Sequence, residues 1–131
     1  MKGKKPMSNV STGNVVVDKS FEFAVEIVKT VKKLKAESKE YEMASQLLRS
    51  GTSVGANIAE AQRAQTGKEF VAKMSIASKE ANETIYWLRL LNAAEIMSKE
   101  ETKPLLTKAI ELDRILVSII KTKQEKISSA G

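Results

Sequence analysis

The chain has no cysteine and no histidine among its 131 residues. Without thiols there can be no disulfide framework, zinc ribbon, iron–sulfur ligation or cysteine nucleophile. Without imidazole, the commonest general base and metal ligand is missing too. The chain has two prolines, six glycines and only 5% aromatic residues, so helix breakers are rare and large β-favouring side chains are scarce. Long apolar runs are also lacking. The longest uncharged stretch, Pro6 to Val17, is interrupted by Ser, Asn, Thr and Gly. A spanning helix needs about 20 apolar residues, so no membrane partner is expected. No apolar h-region follows the amino-terminal lysines as it would in a signal peptide, and the expected address is cytoplasmic.

What is present favours helix. The chain is 42% hydrophobic and 29% charged, and Ala, Lys, Glu, Leu and Ile dominate it. The length suits a single domain with a real core. Net charge is +6, but it is unevenly spread. Lys2, Lys4 and Lys5 meet no acid before Asp18, and Lys121, Lys123 and Lys126 outnumber Glu125. The rest is close to neutral. A near-neutral body with two basic ends is expected, and the end lysines are the candidate nucleic-acid contacts.

Residues 1–17 show no period and read as a disordered basic arm, with Val15–Val17 as a potential but unpaired β segment. From Asp18 the pattern turns helical. Asp18 or Ser20 can cap a first helix over about 19–36, whose stripe includes Phe21, Ala24, Val28 and Val31. A second helix over about 39–64 carries Leu47, Val54 and Ile58, with Gly51 and Gly55 on one face. Those glycines imply either a bend near Gly51 or close approach of another helix. Thr66-Gly67-Lys68-Glu69 is a capping box that opens a third helix over about 67–96. Ser98-Lys99-Glu100-Glu101 is another, and it opens a fourth that continues to about 126, with Pro104 threatening its start. Connections this short force sequential helices to be antiparallel neighbours. The fold expected is all-α, an up-down-up-down antiparallel four-helix bundle over 18–126, with a flexible end at 127–131.

The polar residues that stand out are Arg49, Ser53, Asn57 and Glu60 on the second helix and Glu80, Glu83 and Thr84 on the third. They read either as a binding cleft or as interhelical bonds that fix register. Asn57 and Glu60 are expected to be partly buried and bonded to the third helix or to a neighbouring subunit. Gly67-Lys68 is followed by Glu69 rather than Ser or Thr, so it is no phosphate loop. Ser50 and Ser53 have no histidine to activate them, and the carboxylates have no Glu-x-x-His pairing for a bundle metal site. No enzyme activity, cofactor, metal or small-molecule substrate is expected. Trp87, with Ile76 and Leu90, forms a second apolar row on the third helix, which suits either a subunit contact at Trp87 and Leu90 or a wide core stripe.

The run Ser50-Gly51-Thr52-Ser53-Val54-Gly55-Ala56-Asn57-Ile58-Ala59-Glu60-Ala61 carries a resemblance, together with Lys68-Glu69-Phe70, Ile76-Ala77 and Glu80-Ala81-Asn82-Glu83-Thr84. Over roughly 18–125 the chain resembles the bacterial ribosomal-RNA intervening-sequence proteins, first noted inside insertions of large-subunit rRNA genes. Ala61 departs from the glycine that many relatives carry after Asn-Ile-Ala-Glu. The resemblance implies a four-helix bundle and a ring-shaped homopentamer. The accessory protein of diversity-generating retroelements looks like a relative, and it works by binding a reverse transcriptase and nucleic acid. The function expected is a non-enzymatic oligomeric binding or scaffold protein that associates with RNA or an RNA–protein complex. The alternative is a structural or regulatory protein–protein module with no nucleic-acid role.

Overall fold

Asn14 starts the first helix. Its side-chain oxygen accepts a hydrogen bond from the Val17 amide at 3.3 Å and covers one of the donors that a helix start leaves open. The computed structural model describes residues 11–130. Helix α1 runs Val15–Ser38, so it begins four residues before the position expected from Asp18 and Ser20. The valines at 15–17 are helical, not extended. Asp18 is the reason: its carboxylate accepts from the Thr12 amide at 3.0 Å and from the Ser11 and Thr12 hydroxyls, folding residues 11–14 back onto the first turn. Those bonds, led by the one from the Thr12 backbone, hold the Asp18 carboxyl below its ordinary pKa.

Helices α2, α3 and α4 cover Tyr41–Ala61, Gly67–Ala93 and Lys99–Ala130. Lys39, in the left-handed region at φ 62°, turns the chain between α1 and α2. The Ser98 capping box closes in both directions, whereas in the Thr66 box Glu69 reaches past Thr66 to accept from the Gln65 amide at 3.1 Å. The Thr66 hydroxyl accepts from the Glu69 amide at 3.0 Å, and Ser98 and Glu101 cap each other at 2.8 and 3.1 Å. Helix α3 stops at Ala93, short of the expected 96, because Glu95 takes a left-handed φ of 64°. Helix α4 runs through Pro104 and on to Ala130, past the expected end near 126. Its last turns are not free: Ile127 and Lys123 lie against Gly67 at the start of α3. The four helices form the up-down-up-down antiparallel bundle.

Phe23, Ile27, Leu47, Val54, Ile58, Met74, Leu88, Leu91, Leu112 and Leu116 fill the core. Close approach, not a broken helix, explains the α2 glycines. Both face α1, with Gly51 under Ile27 and Gly55 against the Ser20 carbonyl. Three seams, α1–α2, α2–α3 and α3–α4, pack extensively, while α1 meets α4 more lightly. Exposed ion pairs lace that lighter seam: Lys19–Glu111 at 3.4 Å, Lys33–Glu101 at 3.6 Å and Glu26–Lys108. Among the described residues, every buried side-chain nitrogen and oxygen has a partner. Among the described residues, no helix is long and apolar enough to cross a membrane.

Candidate functional site

The α2–α3 seam gathers most of the polar residues singled out in the sequence, but as three separate groups. In the first, the Arg49 guanidinium bridges Glu80 at 3.1 Å and Glu83, both on α3. Glu83 also accepts from the Trp87 indole N–H at 3.2 Å. The Arg49 and Trp87 bonds hold the Glu83 carboxyl below its ordinary pKa, and the bond to Glu83 raises that of Arg49. One guanidinium thus serves two carboxylates across the seam, and the Trp87 ring lies on edge to Tyr86, centroids 5.4 Å apart at 77°.

The second group is buried. The Thr84 hydroxyl lies 3.0 Å from the Ser50 hydroxyl, with further bonds back to the Glu80 and Leu47 carbonyls. Spacing alone missed Ser50, although it lies three residues after the buried Leu47 and four before Val54 on the core side. The third group lies outside. Glu60 is exposed and pairs with Lys73 at 2.8 Å, a partner not anticipated, and this raises the Lys73 pKa.

Ser53 and Asn57 do not join the interhelical bonding. The Ser53 hydroxyl donates to the Arg49 carbonyl at 2.6 Å, and the Asn57 amide donates to the Ser53 carbonyl at 2.8 Å. Short polar side chains on a helix readily bond the carbonyl four residues back, and here that local bond is the one made. Asn57 is half-buried as expected but within the chain does not reach α3, whereas Glu60 bonds α3 as expected but from an exposed position rather than a buried one. An unexpected polar node sits between α3 and α4. There the Asp113 carboxylate accepts from the Ser78 hydroxyl at 2.5 Å and from the Asn82 amide at 3.1 Å.

Ile76 is 41% exposed, and Trp87 and Leu90 are half-buried on the same helix. Other exposed apolar side chains are Phe21 and Val28 on one side of α1, Tyr41 at the start of α2, and Ile110 and Val117 on α4. Of the end lysines, Lys2, Lys4 and Lys5 lie outside the described residues. Lys121 and Lys126 are exposed, while Lys123 is half-buried with its ammonium 5.8 Å from the Phe70 ring centre. Helical spacing puts Lys121 on a different side of α4 from Lys123 and Lys126, so the three do not form one patch. Among the described residues, no group of three ligating side chains converges as a metal site would need. The polar groups of the interior are spent on register, and the unspent ones are on the surface.

The model of a family described as 23S rRNA-intervening sequence protein matches residues 13–118. A crystal structure from Bacteroides thetaiotaomicron VPI-5482, titled as a protein with unknown function from the S23 ribosomal protein family, is similar at 51% identity and a TM-score of 0.80. The match covers 81% of this chain and 98% of that one. No curated protein matches the sequence.

Proposed function

The chain belongs to the 23S rRNA-intervening sequence protein family, and from that premise we propose that it is a non-enzymatic, oligomeric binding protein whose partner is RNA or an RNA–protein complex. The observation that carries this reading is where the unmet interactions lie. The interior is filled and its polar atoms are partnered, while apolar groups and unpaired lysines are left outside. The apolar groups at Ile76, Trp87 and Leu90 on α3 and at Phe21 and Val28 on α1 sit on different helices. A closed ring joins one patch to a different one on the next copy, so two such groups suit a heterologous homo-oligomer. The pentamer implied by the family resemblance is the favoured ring. Repeating Lys121, Lys123 and Lys126 once per subunit would concentrate charge that is modest in one chain.

The exposed apolar groups also favour a second reading, a protein–protein module without nucleic acid. Affinity purification of the full-length protein from native lysate, with and without nuclease, separates the two. Co-purified RNA, with companion proteins lost on nuclease treatment, supports the first. Companions that persist without any RNA support the second and overturn the first.

A further inference from the structure

We propose that the outer face of the α3–α4 pair is a docking surface for the phosphate backbone of double-helical RNA, an inference that rests on RNA being the partner. The two helices meet along Ser78, Asn82 and Asp113. On α4, Lys103, Leu106, Ile110, Arg114, Val117 and Lys121 follow one another at intervals of three and four residues, which keeps them on one side of the helix. On α3, Lys68 borders a surface depression with Gln124 and Ser128 of α4, and Arg89 borders another with Leu106. Lys68, Arg89, Lys103, Arg114 and Lys121 therefore share this face, and all five are exposed.

None of the five has a carboxylate within 4.0 Å among the described residues. The paired cations Lys19, Lys33, Arg49, Lys73 and Lys108 belong to the other seams. Asp113, the acid between the two helices, is already bonded to Ser78 and Asn82. Glu100 and Glu125 flank the row near its two ends and leave the face with excess positive charge. The near-neutral total of the body hides this: Glu26, Glu60, Glu80, Glu83, Glu101 and Glu111 pair with cations across the other seams, while these five cations have no such partner.

The row also has a length. Lys103 and Lys121 are separated by about 27 Å of one continuous helix at 1.5 Å per residue. That is on the order of a duplex turn, ~34–36 Å for DNA. Binding single strands without sequence preference relies on aromatic platforms for stacking bases, and Tyr86 is the one exposed aromatic beside this row. Double-helical RNA is recognised through its shape, its phosphates and its 2′-hydroxyls, which asks for a rigid charged row and no base platform.

The test is a fluorescence anisotropy titration of full-length protein with an RNA duplex of about two helical turns, ~20 base pairs. The matching single strand and polyglutamate are the comparison probes. Arg114→Gln/Lys121→Gln is set against Lys29→Gln/Lys32→Gln, which makes the same charge change on α1, and thermal melts confirm that both variants fold. The α4 pair should weaken duplex binding about tenfold and lower the slope of log affinity against log salt by about 2, while the α1 pair stays within about threefold. Equal losses in both variants, or single strand or polyglutamate bound as tightly as duplex, would overturn the proposal. So would duplex binding that neither variant alters, in which case RNA as the partner survives and this face does not. If the unaltered protein binds no RNA, the broader reading falls and takes the proposal with it.

Discussion

Ile27 of α1 occupies the space that a side chain at Gly51 of α2 would need. A β-carbon built at Gly51 lies 2.8 Å from Cγ1 of Ile27 and 2.9 Å from Cγ2. Ile27 is fully buried and branched at Cβ, so it has no flexible end to swing away. Gly51→Ala gains about 1 kcal/mol of helix propensity, but overpacking a core costs about 1–3 kcal/mol. The expected net result is destabilisation of about 1 kcal/mol, read as a lower midpoint in thermal or urea unfolding. A higher midpoint would mean that α1 can shift away from α2 without loss.

The Ser50–Thr84 pair is the one side-chain bond between buried hydroxyls in the α2–α3 seam. Thr84→Val should cost about 1 kcal/mol, the usual net worth of such a bond. A double-mutant cycle with Ser50→Ala should show coupling, the double variant losing less than the sum of the singles by about 0.5 kcal/mol or more. Strict additivity in urea unfolding would show that the two hydroxyls act independently.

Glu83 should make stability depend on pH in the acid range. Its folded pKa is depressed, first by Arg49 and then by Trp87, so the stabilisation is fully present above the unfolded pKa and is lost as pH falls through the folded value. The window therefore lies below the ordinary carboxylate value of 4.5. Trp87 is the only tryptophan and donates to this carboxylate, so its emission should change over the same window. Glu83→Gln should abolish that emission step. A step that persists in the variant would assign it to another group.

Asn57→Leu should be nearly neutral for the isolated bundle, within about 0.5 kcal/mol. Leucine has the better helix propensity, and the bond given up is one to the helix's own Ser53 carbonyl. A loss of 1 kcal/mol or more by urea unfolding would reveal a partner beyond α2.

The helices were legible in the sequence because apolar residues recur at three and four, and both capping boxes announce themselves in four consecutive residues. The start of α1 was not, because Val15–Val17 suggest β structure until Asn14 and Asp18 are seen capping and bracing that turn. Nor was the end of α4, where Ile127 is a lone apolar residue whose seat against Gly67 depends on the register of two helices. The polar cluster was half legible. Arg49, Glu80 and Glu83 have long side chains that cross a seam once the register is set. Ser53 and Asn57 share their side of α2 but are too short, and they bond their own backbone. Which carboxylate each lysine meets is a matter of three-dimensional register, so the unpaired α3–α4 row could not be separated from the paired seams by counting charges.

Light scattering coupled to size-exclusion chromatography, on full-length protein mixed with RNA at about 50 mM salt where phosphate contacts are strong, tests oligomeric RNA binding most directly. The predicted result is one peak holding both components, with a protein mass several times the 14.4 kDa of the chain and near fivefold for the favoured ring. RNA eluting alone beside a protein peak of 14.4 kDa would contradict both the assembly and the partner.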